Sequence, residues 1–149
     1  MKIIVDGDAC PVKEAILQVG NKHKIPVIII VSLAHWQNFD QRAEWVTVDN
    51  ISQAVDLAVI NRTQIGDVVV TDDYGLAALV LAKKGLALSF RGRIYREEDM
   101  DNLLAQRHLV QKNRRGGQRL KGPKAYEKED ESRLRTNLSK LIDLLSKET

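Results

Sequence analysis

The fold class that this sequence predicts is a doubly wound α/β sandwich, and three observations predict it. Short runs rich in Val, Ile and Leu recur along the chain. Several are apolar at every position, as suits strands buried on both faces of a parallel sheet. Segments of helical periodicity fill the intervals between them, which is the alternation of βαβ units.

The elements follow in order. A strand is predicted at Ile3–Val5, then a helix over 11–23, with Pro11 suited to its first turn. Val27–Val31 and Val46–Val48 read as the second and third strands. Ile51, Ala54, Val55, Ala58 and Val59 repeat at helical spacing after Asn50, an N-cap candidate, and predict a helix over 50–61. A fourth strand at Val68–Val70 leads to a helix over 74–84, and Gly85 suits its end. Leu86–Leu88 is the fifth strand and Asp99–Val110 a further helix. The run QKNRRGGQRLKGPK, residues 111–124, has six basic residues, three glycines, a proline and no acid. It cannot pack a core and reads as a loop or arm. Leu134, Leu138, Leu141, Ile142 and Leu145 mark a closing amphipathic helix that docks on the body. The expected organisation is an α/β domain over 1–110, a basic loop or arm over 111–124, and a C-terminal helix over 125–149 packing on the same domain.

A length of 149 residues fits one domain, long enough for a substantial core. Only 5% of residues are aromatic, so few side chains are available to stack on bases or sugars. The net charge of +3 hides an asymmetry: residues 1–106 hold 11 Lys/Arg against 14 Asp/Glu, whereas residues 107–149 hold 12 against 6. A basic C-terminal piece suggests a polyanionic partner. A single cysteine excludes an internal disulfide, and no Cys/His cluster has zinc spacing. No run approaches the roughly 18 apolar residues of a membrane span, and no signal-peptide pattern is present. A cytoplasmic protein without a membrane partner is expected.

In an open parallel sheet, chemistry gathers at the carboxyl ends of the strands. Asp6 ends the first strand in VDGDACPVK, and Asp8 follows two residues later. Asp72 and Asp73 end the fourth strand, and Asp56 lies on the helix leading to it. Convergent carboxylates suit a hard cation such as Mg²⁺, which removes their repulsion and serves phosphodiester chemistry. Simpler readings stand beside this one. Asp8 could cap the first helix, and one of Asp72 and Asp73 the helix after the fourth strand. Asp56 could be a rim residue, but Asp6 directly after IIV is costly unless paired or solvated. Cys10 lacks the arginine of a C-x5-R phosphatase, since position 16 is Ile, and reads as a packing residue. His23, His35 and His108 form no metal-spaced pair, although His35, Trp36 and Ser32 follow or end the second strand and could border the cleft. Lys13 could reach a phosphate.

VDGDACPVK, AVDLAVIN, GDVVVTDDYGLAALVLAKKG and RRGGQRLKGPK together resemble the bacterial YaiI/YqxD family, from Val5 into the last helix. That family is grouped with the PIN-like domains, α/β folds whose acidic metal pocket serves many ribonucleases. The resemblance implies a PIN-like three-layer sandwich with a mainly parallel central sheet and C-terminal helices. It implies catalytic roles for Asp6, Asp8, Asp56 and Asp73. The metal candidates are these four and Asp72, with Mg²⁺ or Mn²⁺ as the ion. The family's opening motif commonly reads DADACP; here Gly7 stands in place of the alanine, which is expected to loosen the turn. The position of Asp72 often holds an uncharged residue, so which of Asp72 and Asp73 meets a metal stays open.

The leading function is therefore a metal-dependent nuclease acting on RNA, with other nucleic acids as further candidates. Arg114, Arg115, Arg119, Lys121 and Lys124 would contact phosphates without reading sequence, and a solvated charge run is the plainer view of the same residues. One alternative is a non-catalytic RNA-binding module. Another is a haloacid-dehalogenase-like phosphatase, which D-x-D imitates, but no lysine occurs between Lys24 and Lys83 to serve it. A toxin role would rest on the PIN relationship alone.

Overall fold

β1 (Ile3–Asp6) lies at the centre of the sheet because IIV offers an apolar side chain to both faces. In the computed structural model, which describes residues 1–35, 40–51, 53–100 and 124–147, it pairs in parallel with β2 (Val27–Ser32) and with β4 (Val68–Val70). β3 (Glu44–Val48) and β5 (Leu86–Leu88) complete a wholly parallel sheet in the order β3-β2-β1-β4-β5. The arrangement is an α/β sandwich consistent with the PIN-like architecture. A three-residue 3₁₀ turn, Leu33–His35, follows β2.

Alternate residues of each strand go to opposite faces. Ile3, Val5, Val27, Ile29, Val31, Val68 and Val70 meet α1 (Lys13–His23) and the closing helix α4 (Lys128–Lys147) in one core. Ile4, Ile28, Ile30 and Val69 meet α2 (Ala54–Arg62) and α3 (Tyr74–Ala82) in the other. Leu134, Leu138, Leu141 and Ile142 of α4 are buried, and Leu145 packs partly against them. At the amino end of the sheet, the Lys2 ammonium donates to Asp67 Oδ2 at 2.5 Å and ties β1 to the start of β4. Among the described residues no helix is long and apolar enough to cross a membrane.

Several local expectations are corrected. Asn50 does not cap α2: its Oδ1 accepts from Ala34 N–H at 2.7 Å, and Gln53, left-handed at φ 69°, takes the N-cap position. α1 begins at Lys13, two residues after Pro11, and no side chain caps it. The left-handed residue after α3 is Lys84 (φ 68°), not Gly85. Gly85 answers a packing demand instead, since a Cβ there would lie 2.9 Å from Val80 Cγ1 and 3.1 Å from Thr63 Cγ2. Residues 97–100 are helical, so the helix expected from Asp99 begins two residues earlier. The rest of it lies outside the described residues, as do positions 111–123.

Gly7 also differs from expectation. Its N–H donates to Ile30 O at 2.8 Å, and a Cβ would approach Val31 Cγ1 at 2.6 Å, Ile30 O at 2.7 Å and Ile29 Cγ2 at 2.8 Å. The glycine seats the DGD turn hard against β2 rather than loosening it. Gly7→Ala is therefore expected to overpack this contact and destabilise the protein by about 1–3 kcal/mol in a urea melt. An unchanged midpoint would show that the turn can withdraw from β2 at no cost.

Candidate functional site

Because the chain runs outward from β1 in both directions, the groove between the carboxyl ends of β1 and β4 is the switch point of the sheet. Val5 pairs with Val70, which places Asp6 level with Thr71. Thr71 is fully buried. Its hydroxyl donates to Asp6 Oδ2 at 2.8 Å and accepts from Asp73 N–H at 3.0 Å. One side chain therefore holds the acid of β1 and the backbone of the acid after β4.

The other carboxylates are fixed by different donors. Asp8 Oδ1 accepts from Ser32 N–H at 2.8 Å, so Asp8 closes the end of β2 and does not cap α1. Asp73 is the N-cap of α3, accepting from Leu76 N–H at 3.1 Å. Asp72 Oδ1 accepts from Phe90 N–H at 2.8 Å, beyond β5. Asp56 stands in the first turn of α2, where a negative charge is favoured by the helix dipole.

These placements divide the acids between clefts. A cleft of about 400 Å³ is lined by Asp6, Asp8, Ser32, Asn50, Gln53 and Asp56, among others. A neighbouring one of about 470 Å³ contains Gln53, Asp56 and Asp73, with Leu57, Ile60 and Leu79 as an apolar wall. Asp56 and Gln53 belong to both. Asp72 looks the other way, into a third cleft with Arg91 and Arg93. The groove thus gathers Asp6, Asp8, Asp56 and Asp73 and leaves Asp72 apart.

The electrostatics record this crowding. Burial pushes the Asp6 carboxyl up to about 6, the Thr71 hydroxyl opposes the shift, and the charges of Asp56, Asp73 and Asp8 add to it. Asp72 is exposed at its rim but has its carboxyl tucked against Phe90. Desolvation raises it, against the Phe90 N–H and the Arg91 charge. Among the described residues no three Asp, Glu, His or Cys side chains stand close enough to make a ready cage for a metal ion. The donors are all oxygens, and Mg²⁺ is ordinarily held by one or two carboxylates with several retained waters. The donor set therefore fits a hard divalent cation held loosely, and does not fit zinc.

Other candidates fall outside this group. Cys10 is buried in the α1 core, and desolvation pushes its thiol up to about 11, which makes it a packing residue. Lys13 Nζ donates to Cys10 O at 3.0 Å. His23 Nδ1 lies 4.0 Å from Asp143 Oδ1, between α1 and α4. Arg114, Arg115, Arg119, Lys121, His108 and Trp36 lie outside the described residues, as does the side chain of His35; of the basic run only Lys124 is described. Sequence reasoning did not single out Thr71, Gln53, Tyr74, Arg91 or Arg93, and it read Asn50 only as a helix cap. The arginines had a readable signal, R-G-R at 91–93, two residues beyond the fifth strand.

A family model described as "Uncharacterized BCR, YaiI/YqxD family" matches residues 4–144. The chain is 46% identical over 143 residues to a UPF0178 protein of Clostridium perfringens, covering 96% of this chain and 95% of that one. It is 41% identical over 143 residues to a UPF0178 protein of Alkaliphilus metalliredigens, covering 96% and 92% of the two. With a UPF0178 protein of Bacillus anthracis it shares 40% over 146 residues, 97% of this chain and all of the other. No solved structure matches the chain at a significant level.

Two outcomes are expected at the groove. Asp6 titrates near 6 in the folded chain against about 3.9 unfolded, so between those pH values the folded state keeps a proton that the unfolded state has lost. Stability therefore falls as pH rises from about 4 through 6. Asp6→Asn, which preserves an acceptor for Thr71, is expected to stabilise the metal-free protein by up to about 3 kcal/mol at pH 7.5 and by almost nothing at pH 4. Denaturant melts in EDTA at the two pH values check this, and an equal gain at both would refute the assigned cause. Thr71→Val removes the one opposing hydrogen bond at nearly constant volume. The Asp6 carboxyl, followed by NMR, is then expected to titrate above its wild-type midpoint.

Proposed function

The chain belongs to the YaiI/YqxD family, and on that premise we propose that it is a Mg²⁺- or Mn²⁺-dependent phosphodiesterase acting on RNA. The observation that carries this reading is the convergence of four carboxylates from β1, its following turn, α2 and the start of α3 on the switch-point groove, where burial first, and then the charges of Asp56, Asp73 and Asp8, push the Asp6 carboxyl up to about 6. Like charges gathered at a strand end destabilise a fold and call for a cation. One or two of Asp6, Asp8, Asp56 and Asp73 would hold the metal directly and the others through its retained waters, and the ion would supply an activated water and offset charge on a phosphodiester.

The chain's own groups do the positioning. Thr71 orients the Asp6 carboxylate, Ser32 N–H orients that of Asp8, and the α3 cap sets one oxygen of Asp73. The basic run 111–124, with Arg114, Arg115, Arg119, Lys121 and Lys124, supplies sequence-independent affinity for the phosphate backbone. The phosphatase alternative is less well supported. A nucleophilic Asp6 pushed up to about 6, chiefly by burial, is poorly matched to that chemistry, and no lysine is among the described residues lining either acidic cleft.

The test is cleavage of end-labelled single-stranded RNA by the full chain with Mn²⁺, with Mg²⁺ and in EDTA. Activity is expected with either ion and absent in EDTA. Asp6→Asn and Asp73→Asn are each expected to lower it by roughly 10²–10⁴-fold. Asn caps a helix about as well as Asp, so Asp73→Asn should melt within about 0.5 kcal/mol of wild type and separate the capping role from the chemical one. If RNA and DNA both remain intact with Mn²⁺, the proposal fails. RNA binding that persists in EDTA without any cleavage would favour the non-catalytic alternative.

A further inference from the structure

The cleft into which Asp72 turns has no part in the reading above. It holds about 290 Å³ and is lined by Asp72, Tyr74, Ser89, Arg91, Arg93 and Tyr95. That volume is at the small end of ligand sites. Two guanidinium groups face one carboxylate here, the reverse of the balance in the acidic groove.

The two arginines sit on a rigid turn. Ser89 N–H donates to Arg93 O at 2.8 Å, Gly92 N–H to Ser89 O at 3.0 Å, and Arg93 N–H to Ser89 Oγ at 2.9 Å. Gly92 has φ 87° and lies directly under α4, where a Cβ would come within 2.5 Å of Leu134 N. Arg91 is committed to structure: it donates to Asp130 Oδ2 at 2.9 Å and to the Lys124 carbonyl, and its guanidinium lies 5.7 Å from the centroid of the Tyr126 ring. The bond to Lys124 holds the last residue of the basic run at the wall of this cleft. Arg93 is different. It is exposed, and among the described residues no carboxylate pairs with it.

Tyr74 brings an aromatic ring to the same cleft as Arg93. Its ring meets Tyr95 at 5.9 Å and 73°, an edge-to-face contact that leaves at least one face of Tyr74 uncovered by Tyr95. Tyr95 is buried, and its hydroxyl donates to Thr71 O at 3.1 Å, so the brace behind Tyr74 is fixed to the same residue that orients Asp6. A cation next to an aromatic face is the pairing that holds single-stranded nucleic acid, the cation on the phosphate and the ring on the base.

We propose that this cleft is a nucleotide subsite for single-stranded RNA, with Arg93 on a backbone phosphate and Tyr74 stacked on a base. Arg91 stays a fixed positive group that offsets Asp72. The proposal takes its ligand class from the ribonuclease reading and adds where the strand is held. Asp72 and Asp73 are adjacent in sequence but line different clefts. A strand crossing the end of β4 would present one phosphate to the acidic groove while a neighbouring nucleotide sits against Tyr74. Stacking on a tyrosine accepts any base, so the subsite sets the path of the strand rather than its sequence.

The experiment is binding of a short fluorescein-labelled single-stranded RNA to the full chain in EDTA, where no cleavage competes, over a range of salt. Wild type is expected to bind. Arg93→Ala should weaken binding several-fold and reduce the slope of log K against log salt by about 0.7, the value for one phosphate contact on a single strand. Tyr74→Ala should weaken it by about 5- to 100-fold, and Tyr74→Phe should restore it. Thermal melts confirm that each variant is folded. Equal affinity and slope in wild type, Arg93→Ala and Tyr74→Ala would overturn the subsite, as would no binding by wild type. The two readings separate cleanly: RNA bound with these dependences but never cleaved with Mn²⁺ keeps the subsite and removes the nuclease. Cleavage with unchanged KM in Arg93→Ala and Tyr74→Ala does the opposite.

Discussion

Thr71 ties together four parts of this molecule at the groove. Its N–H donates to Leu88 O at 2.9 Å and so ties β4 to β5. Its carbonyl accepts from Tyr95, and its hydroxyl serves Asp6 on one side and Asp73 N–H on the other. A hydroxyl can donate once and accept as well, and here both capacities are used. At a fully buried position each bond must be made or its cost borne, so the end of β4 has little freedom to move. The geometry of both clefts follows from that restraint.

The groove stands on a strong platform. β1, β2 and β4 are buried on both faces by aliphatic side chains, and helices cover each face. Such a core can tolerate a local excess of negative charge where the strands end. Burial raises the Asp6 carboxyl there, and the neighbouring acids add to the rise. Gln53 adds a second local cost, a left-handed backbone at a non-glycine residue on the rim shared by both acidic clefts. Costs of this kind tend to gather where a protein does chemistry, and are sustained by the packing around them.

Much of the fold was legible in the sequence. The five strands fall at the β-rich runs, four of them all-apolar and the third begun two residues early at Glu44, and α2, α3 and α4 lie within or around their periodic segments. The acids were legible as a group, because the carboxyl end of a parallel strand is readable wherever the strand is. Their individual jobs were less so. Asn50 and Asp8 both carry the chemistry of a helix cap, yet each bonds an N–H at the end of β2 or just beyond it. Gly7 and Gly85 look like turn glycines, but crowding by β2, Val80 and Thr63 is what excludes a side chain there. Thr71 passed unnoticed because a β-branched residue at a strand end is ordinary until its neighbours are known.

The sequence by itself determined the alternation of strand and helix, the parallel sheet and the edge at which the carboxylates would collect. Those properties follow from which positions are apolar and at what period, and they are local. The tertiary structure alone decided which acid faces which cleft. Asp8 takes its donor from a residue 24 positions away and Asp72 from one 18 positions away, while Asp6 meets Thr71 across 65. A carboxylate accepts from whichever N–H or O–H the assembled fold presents, and no local pattern records that choice. That is why VDGD and TDDY could be read as two halves of one edge, while the turning of Asp72 toward Arg91 and Arg93 had to await the sheet.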